Sequence, residues 1–178
     1  LAQRAPRVAV VPVALMKAVS TLETPAALSM LAPWPQASNG FQQGVHQGVA
    51  TVVMDRLQDP GNVGSILRSA AALGVRQVLA LQGTVALWSA KVLRSGMGAH
   101  FGLRLVEGLQ VDDLKPLAAQ LVLTTSHGSH LLHQAPLPDA PAWVFGHEGA
   151  GVDEALAALG TLRVTIPQPG GQESLNVA

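Results

Sequence analysis

From residue 49 onward, short aliphatic runs alternate with helix-length segments, and this alternation restricts the fold more than any other property of the chain. VATVVMDRL reads as a strand, NVGSILRSAAAL as a helix and VRQVLAL as a second strand. ALWSAKVLRS predicts a helix, HFGLRLV a strand and DDLKPLAAQ a helix. LVLTTS, AWVFG and LRVTI follow as three more buried strands, with VDEALAAL a helix between the last two. Strand and helix in turn predict an α/β domain, a mostly parallel sheet flanked by helices. No internal repeat is visible.

The first 35 residues read differently. VAVVPV predicts a strand, followed by a short helix and a second apolar piece. NGFQQGVHQG then lacks any hydrophobic period, so residues 36–48 read as a linker. The chain opens on Leu1 and stops at SLNVA, so both ends read as cut.

Composition narrows the class. Hydrophobic residues make up 48% and aromatic ones 3% of the 178, so the core must be Leu, Val, Ala and Ile. Eleven basic residues balance 11 acidic ones, and bulk charge gives no sign of a nucleic-acid partner. Cysteine is absent, which excludes disulfides and thiolate metal sites. No apolar run approaches the roughly 18–20 residues of a membrane span, and no signal peptide is visible. The expectation is a cytoplasmic protein without a membrane partner.

The polar and glycine residues collect just after strands, in DPGNVG, TTSHGS, GHEGAG and PQPGGQES. Ligands of open α/β sheets bind beyond the carboxyl ends of strands. Any one of these loops would pass for a tight turn; four together predict a ligand site. DPGNVGS matches neither G-x-G-x-x-G nor G-x-x-x-x-G-K-[ST], which argues against an ordinary dehydrogenase or NTPase. His127, His130 and His133 straddle a Ser-Gly loop without clustered co-ligands and read as surface histidines, so no metal is expected.

On a helical wheel, Val63, Ile66, Leu67, Ala70 and Leu73 form one stripe that should face the sheet. Arg68 falls opposite, flanked by Gly64, Ser65, Ala71 and Ala72. A solvated surface would ordinarily carry Glu, Lys or Gln there. Neighbours this small predict a covered face, with a ligand or a second subunit against it. Asn62, at the helix start, is placed either to cap it or to point into the site.

Asp59-Pro60-Gly61-Asn62-Val63-Gly64 through Arg68 resembles the first motif of the SpoU (TrmH-like) branch of the SPOUT RNA methyltransferases. VFGHEGAGV, residues 144–152, resembles the second motif, and IPQPGGQESLNVA, residues 166–178, the third. LRSGMGAHF, residues 93–101, is similar to the stretch between the first two. The resemblance covers residues 49–178 with the motifs in order. Residues 1–35, through ETPAALSML, resemble the tail of the small α/β RNA-binding domain that often precedes this catalytic domain.

The resemblance implies a SPOUT-type sheet with a C-terminal trefoil knot, against the rule that chains do not thread loops. It also implies S-adenosylmethionine as methyl donor, 2′-O-methylation of ribose in ribosomal RNA in preference to transfer RNA, and a homodimer. Arg68 matches the family's catalytic arginine. Being always protonated, it suits gripping a phosphate or stabilising an alkoxide better than acting as base. Asn62, Glu148, Ser174 and Asn176 fall at motif positions and complete the catalytic set, with Glu148 placed to orient Arg68 or accept a proton. Gly146, Ile166, Pro167 and Leu175 match the donor-binding segments, and Thr124 and Ser126 border the same pocket. His147 stands where the family often has asparagine, and Gln168 where it often has methionine. A further helix, which in the family completes knot and dimer, is expected beyond Ala178. A transfer-RNA enzyme, and a non-catalytic RNA-binding or assembly factor on the same fold, are the competing readings. The intact motif residues argue against the second.

Overall fold

A computed structural model describes residues 7–20, 24–31, 44–126, 128–170 and 175–178. The chain divides into two units, residues 1–34 and 35–178. In the first, helix α1 (Val13–Val19) follows Pro12 and buries no residue. VAVVPV is therefore not the strand its sequence predicts. Residues 7–12 are irregular, with Val10 98% exposed, and they pair with no strand among the described residues. A β-prone run without a sheet edge to join gains nothing from extension.

The second unit is an α/β layer structure. Its strands are β1 (Thr51–Met54), β2 (Gln77–Leu81), β3 (Arg104–Leu109), β4 (Leu121–Thr124), β5 (His130–Leu131), β6 (Ala142–Phe145) and β7 (Leu162–Thr165). They form one sheet in the order β3-β2-β1-β6-β4-β7-β5. Every pairing is parallel. All the strand-end loops therefore open on one edge. Alternate residues of the central strands feed two cores. Val52, Met54, Val78 and Ala80 pack with helix α2 (Pro60–Ala72) and Val92 of helix α3 (Ala90–Gly96). Val53, Leu79 and Val144 pack on the other face with the 3-10 helix Val111–Gln120 and with Leu156 of helix α4 (Glu154–Leu159).

Several boundaries differ from the expected ones, each for a local reason. DDLKPLAAQ winds as a 3-10 helix; Pro116 lies within it, lacking an N–H, and Leu114 and Leu117 point inward at the spacing of three that such a turn repeats. β3 starts at Arg104 rather than His100 because Ala99–Gly102 forms a 3-10 turn that tucks the His100 ring inward, 2.8 Å from the Leu87 carbonyl. Leu73 leaves the buried stripe, 83% exposed, because α2 ends at Ala72 and Gly74 turns the chain at φ +80°. The two-residue strand β5 has no signature in the sequence. At the opposite edge of the sheet the linker's end is tied down. Gln77, buried in β2, accepts from the N–H of His46 at 3.0 Å and donates to its carbonyl at 3.1 Å.

Strand β7 lies between β4 and β5, which are consecutive in the chain. Thr124 and His130 both register with Val164, so the chain passes from one side of β7 to the other between them, as a strap. Gly128 lies against that strand: a Cβ there would stand 2.5 Å from the carbonyl carbon of Val164.

The small residue Gly64 is explained within the chain. It is buried, not on an outer face, and an added Cβ would stand 1.9 Å from Ser95 Oγ and 2.7 Å from the Gly96 nitrogen. Ser95 in turn donates to the Pro60 carbonyl at 2.8 Å. Helix α3, rather than a ligand or a second subunit, covers that part of the Arg68 side. Gly64→Ala should therefore pry α2 from α3 and cost about 1–3 kcal/mol in urea unfolding. Adding Ser95→Gly should restore only part of that, because the Gly96 backbone remains in the way.

Candidate active site

The site is built where β1 and β6 end. Thr51–Met54 and Ala142–Phe145 run in register, and the pairing continues one residue further as the Asp55 N–H donates to the Phe145 carbonyl at 2.9 Å. The first-motif and second-motif loops therefore leave the sheet side by side.

Glu148 fastens them together. Its carboxylate accepts from the backbone N–H groups of Gln58 and Asp59, each at 3.2 Å, and from the side-chain amide of Asn62 at 3.3 Å. The carboxylate thus faces the N-terminus of α2, whose dipole favours a negative charge there. Burial pushes the Glu148 carboxyl upward. The hydrogen bonds from its own backbone, from Gln58 and Asp59 and from Asn62 outweigh this and hold it below the ordinary 4.5. A carboxylate stabilised in its ionised form is a weak proton acceptor. Among the described residues Glu148 makes no ion pair with Arg68.

Asn62 is not the helix cap. Asp59 is, accepting from the Asn62 N–H at 2.8 Å with Pro60 at the first helical position. This frees the Asn62 side chain for Glu148. Arg68, two turns along α2, is exposed, and its side chain makes no hydrogen bond or ion pair with the described residues.

The second-motif loop closes on itself. His147 and Gly151 exchange backbone hydrogen bonds at 3.0 and 2.8 Å. The His147 ring Nδ1 accepts from the N–H groups of Gly149 at 2.9 Å and Ala150 at 3.1 Å. An asparagine side-chain oxygen could accept the same bonds, which rationalises histidine at this place. Gly146 must lack a side chain, since a Cβ would lie 2.4 Å from the Val152 nitrogen.

A second clamp lies below, formed by residues the sequence reading passed over. Asp55 is 1% exposed. It takes both arms of Arg56, at 2.8 and 3.1 Å, and the backbone N–H of Asp153 at 2.7 Å. Arg56 holds a left-handed φ of 57°, beside Gly83, and also reaches the Gly151 carbonyl at 3.4 Å. The hydrogen bond to Asp55 raises the Arg56 guanidinium above its ordinary value against the effect of burial. The signal in the sequence was an acid and a base immediately beyond the buried run TVVM.

Of the other expected donor-site residues, Thr124, Ser126, Ile166 and Pro167 lie at or just beyond the ends of β4 and β7. Thr124, at the end of β4, spends its hydroxyl on the Val144 carbonyl at 2.7 Å. Ser126, in the strap, accepts from the Thr165 hydroxyl through its carbonyl at 3.2 Å. Pro167 is exposed just beyond β7. Ile166 and Leu175 are apolar yet 51% and 57% exposed, and the Gln168 Oε1 atom is buried with no partner among the described residues. Exposed apolar side chains and a spare buried acceptor are the chemistry that the adenine and the amine of S-adenosylmethionine would call for. Asn176 is exposed, its side chain accepting from the Ala178 N–H at 3.0 Å, and Val177 packs on the α2 core. Ser174 and His127 lie outside the described residues.

The family model described as the SpoU rRNA Methylase family matches residues 50–178. The chain is 33% identical over 164 residues to the 23S rRNA (guanosine(2553)-2′-O)-methyltransferase RlmP of Bacillus subtilis, covering 90% of this chain and 64% of that protein. It is 31% identical over 131 residues to the 23S rRNA (guanosine-2′-O-)-methyltransferase RlmB of Neisseria meningitidis, covering 71% and 52%. Among solved structures it resembles the SpoU methyltransferase AviRb of Streptomyces viridochromogenes in complex with AdoMet. That match has a TM-score of 0.67 and 30% identity, over 75% of this chain and 56% of the other. The chain thus spans between half and two thirds of these relatives.

The lowered Glu148 pKa fixes a pH dependence. The stability from its hydrogen bonds is fully present above the unfolded carboxylate pKa and is lost as pH falls through the lower folded one. At neutral pH, Glu148→Gln should cost about 1 kcal/mol, discounted for exposure, or about 2–4 °C in Tm for a chain of this size. The deficit should close progressively below pH 4.5. A deficit unchanged down to strong acid would refute the assignment.

Proposed function

Because the chain belongs to the SpoU rRNA methylase family, we propose that it transfers a methyl group from S-adenosylmethionine to a ribose 2′-hydroxyl of RNA, with ribosomal RNA as substrate. The observation that carries this reading is the Glu148 junction. It holds the first-motif and second-motif loops together at the carboxyl ends of adjacent strands, with Arg68, unpaired among the described residues, on the helix that begins there.

In this reading Gly146, Ile166, Pro167 and Leu175, with Thr124 and Ser126 bordering them, hold the donor. When bound, the donor supplies an electrophilic methyl on a sulfonium. The chain's own task is to bring the ribose oxygen in line and to favour loss of its proton to solvent water, and positioning alone can remove much of such a barrier. Asn62 is held by Glu148 through its amide nitrogen, which leaves its carbonyl oxygen to accept from the ribose hydroxyl. Arg68, always cationic, stabilises the developing alkoxide or grips the adjacent phosphate. Glu148 serves as a positioning residue rather than as the base. Ser174 and Asn176 contribute hydrogen bonds from the third motif. His147, which already accepts two backbone bonds, closes the loop.

The reading also includes the trefoil knot, a cytoplasmic location and a homodimer, for which Leu73, 83% exposed, offers an apolar contact. No helix among the described residues is long and apolar enough to cross a membrane.

Labelled S-adenosylmethionine, incubated with unmodified ribosomal and transfer RNA and followed by digestion to nucleosides, tests the reading. A 2′-O-methyl nucleoside should appear in ribosomal RNA. Arg68→Ala should lower the rate by about 10²–10³-fold, the usual loss of one charge-stabilising donor. Methylation of transfer RNA alone would reassign the substrate, and failure to bind the donor would favour the non-catalytic factor.

A further inference from the structure

The zero net charge conceals a strong division. Residues 60–106 carry Arg68, Arg76, Lys91, Arg94 and Arg104 and not one acidic residue. Residues 107–178 carry eight acidic residues against Lys115 and Arg163. In the fold the basic segment supplies α2, α3, β2 and the start of β3, at one end of the sheet. Arg104 is engaged by Gln77 and the Gly44 carbonyl. The side chains of Arg68, Lys91 and Arg94 make no hydrogen bond or ion pair with the described residues.

These unpaired cations are joined by apolar surface. Val92, Gly96 and His100 turn inward, so the opposite side of α3 and of the turn after it shows Lys91, Arg94, Met97 and Phe101. Met97 is 76% and Phe101 83% exposed, in a chain with only three phenylalanines. The backbone presents Met97 deliberately, at a left-handed φ of 48° ahead of Gly98 at 88°. Ser95 and Gly96 meet α2 at Gly64, one turn before Arg68, so α3 packs directly beside the helix that carries Arg68. Cations without carboxylates, interleaved with an exposed aromatic ring, suit a single-stranded polyanion whose bases can stack.

Resting on the function proposed above, we propose that the outer face of α3 and the turn Ala99–Gly102 docks the single-stranded RNA flanking the reacting nucleotide. Lys91 and Arg94 take its phosphates, and Phe101, with Met97 beside it, stacks a base. The acidic half of a second copy is the rival occupant. It lacks a reason for the naked phenyl ring beside cations, which base stacking supplies.

The test is fluorescence anisotropy of a short labelled single-stranded RNA of mixed sequence, titrated with the full chain over a salt series. Lys91→Ala/Arg94→Ala should reduce the slope of log affinity against log salt by about 1.4, two contacts at about 0.7 each. Phe101→Ala should weaken binding about tenfold with the slope unchanged. Lys115→Ala, on the acidic half, should change neither. Circular dichroism checks the fold of each variant, and calorimetry with S-adenosylmethionine should give parental donor affinity in all of them. RNA affinity and slope both unchanged in the α3 variants would overturn the proposal while leaving the methyltransferase reading intact. So would a change in sedimentation to monomer without loss of RNA affinity, which would give the face to a second copy. A parent that binds RNA through these residues but binds no donor would support the docking face and sink the methyltransferase reading instead.

Discussion

The pairing of β1 with β6 is the constraint on which the rest of the molecule depends. These segments are far apart in sequence, yet each apolar residue of Thr51–Met54 lies beside one of Ala142–Phe145. The entropy of closing so long a loop rises only slowly with its length. Burial of both faces of β1 and β6 supplies the offset. Once the register is set, Asp55 and Gly146 stand next to each other. Asp55 can then hold Arg56 and Asp153, and Glu148 can reach the start of α2. Two carboxylates thus fix two loops, one buried and one near solvent, with different chemical consequences. Among the described residues, the buried one is satisfied by a guanidinium fork and one backbone amide, while the outer one takes amide donors and Arg68 stays unpaired.

The layer architecture was legible in the chain because the strands are short apolar runs and the helices between them have apolar stripes. Asn62 and Glu148 were legible as motif residues, but their direct contact was not, since it needs β6 to enter beside β1. Gly64 was misread for the same kind of reason. A wheel knows only its own helix, and the neighbour that demands a bare Cα is contributed by Ser95 and Gly96. VAVVPV misled because β-propensity counts only where a sheet edge waits for it. Asp55 and Arg56 were passed over because an adjacent acid and base look like ordinary surface charge until one of them is found buried. The strap and β5 could not have been read at all, as two residues carry no period.

Bulk charge misled in an instructive way. A total of zero hides a basic segment, an acidic one and a nearly balanced first third, and electrostatic attraction responds to the local field. The relevant quantity was the run of residues free of carboxylates, which is visible in the sequence once one looks for it. Its meaning came from the fold, which gathers those residues at one end of a single sheet.

The strap over β7 constrains the order in which the protein can assemble. A strand that joins a sheet at its rim can arrive at any time. β7 instead occupies a slot between β4 and β5, two strands that follow one another in the chain. Until that late segment has been synthesised and seated, β4 has one edge unpaired and β5 has no partner at all. The nascent chain therefore carries an open sheet edge through most of its synthesis, the kind of surface on which chains mispair. Completion is non-local and correspondingly slow. A cell making this protein depends as much on the lifetime of that open edge as on the stability of the finished sheet.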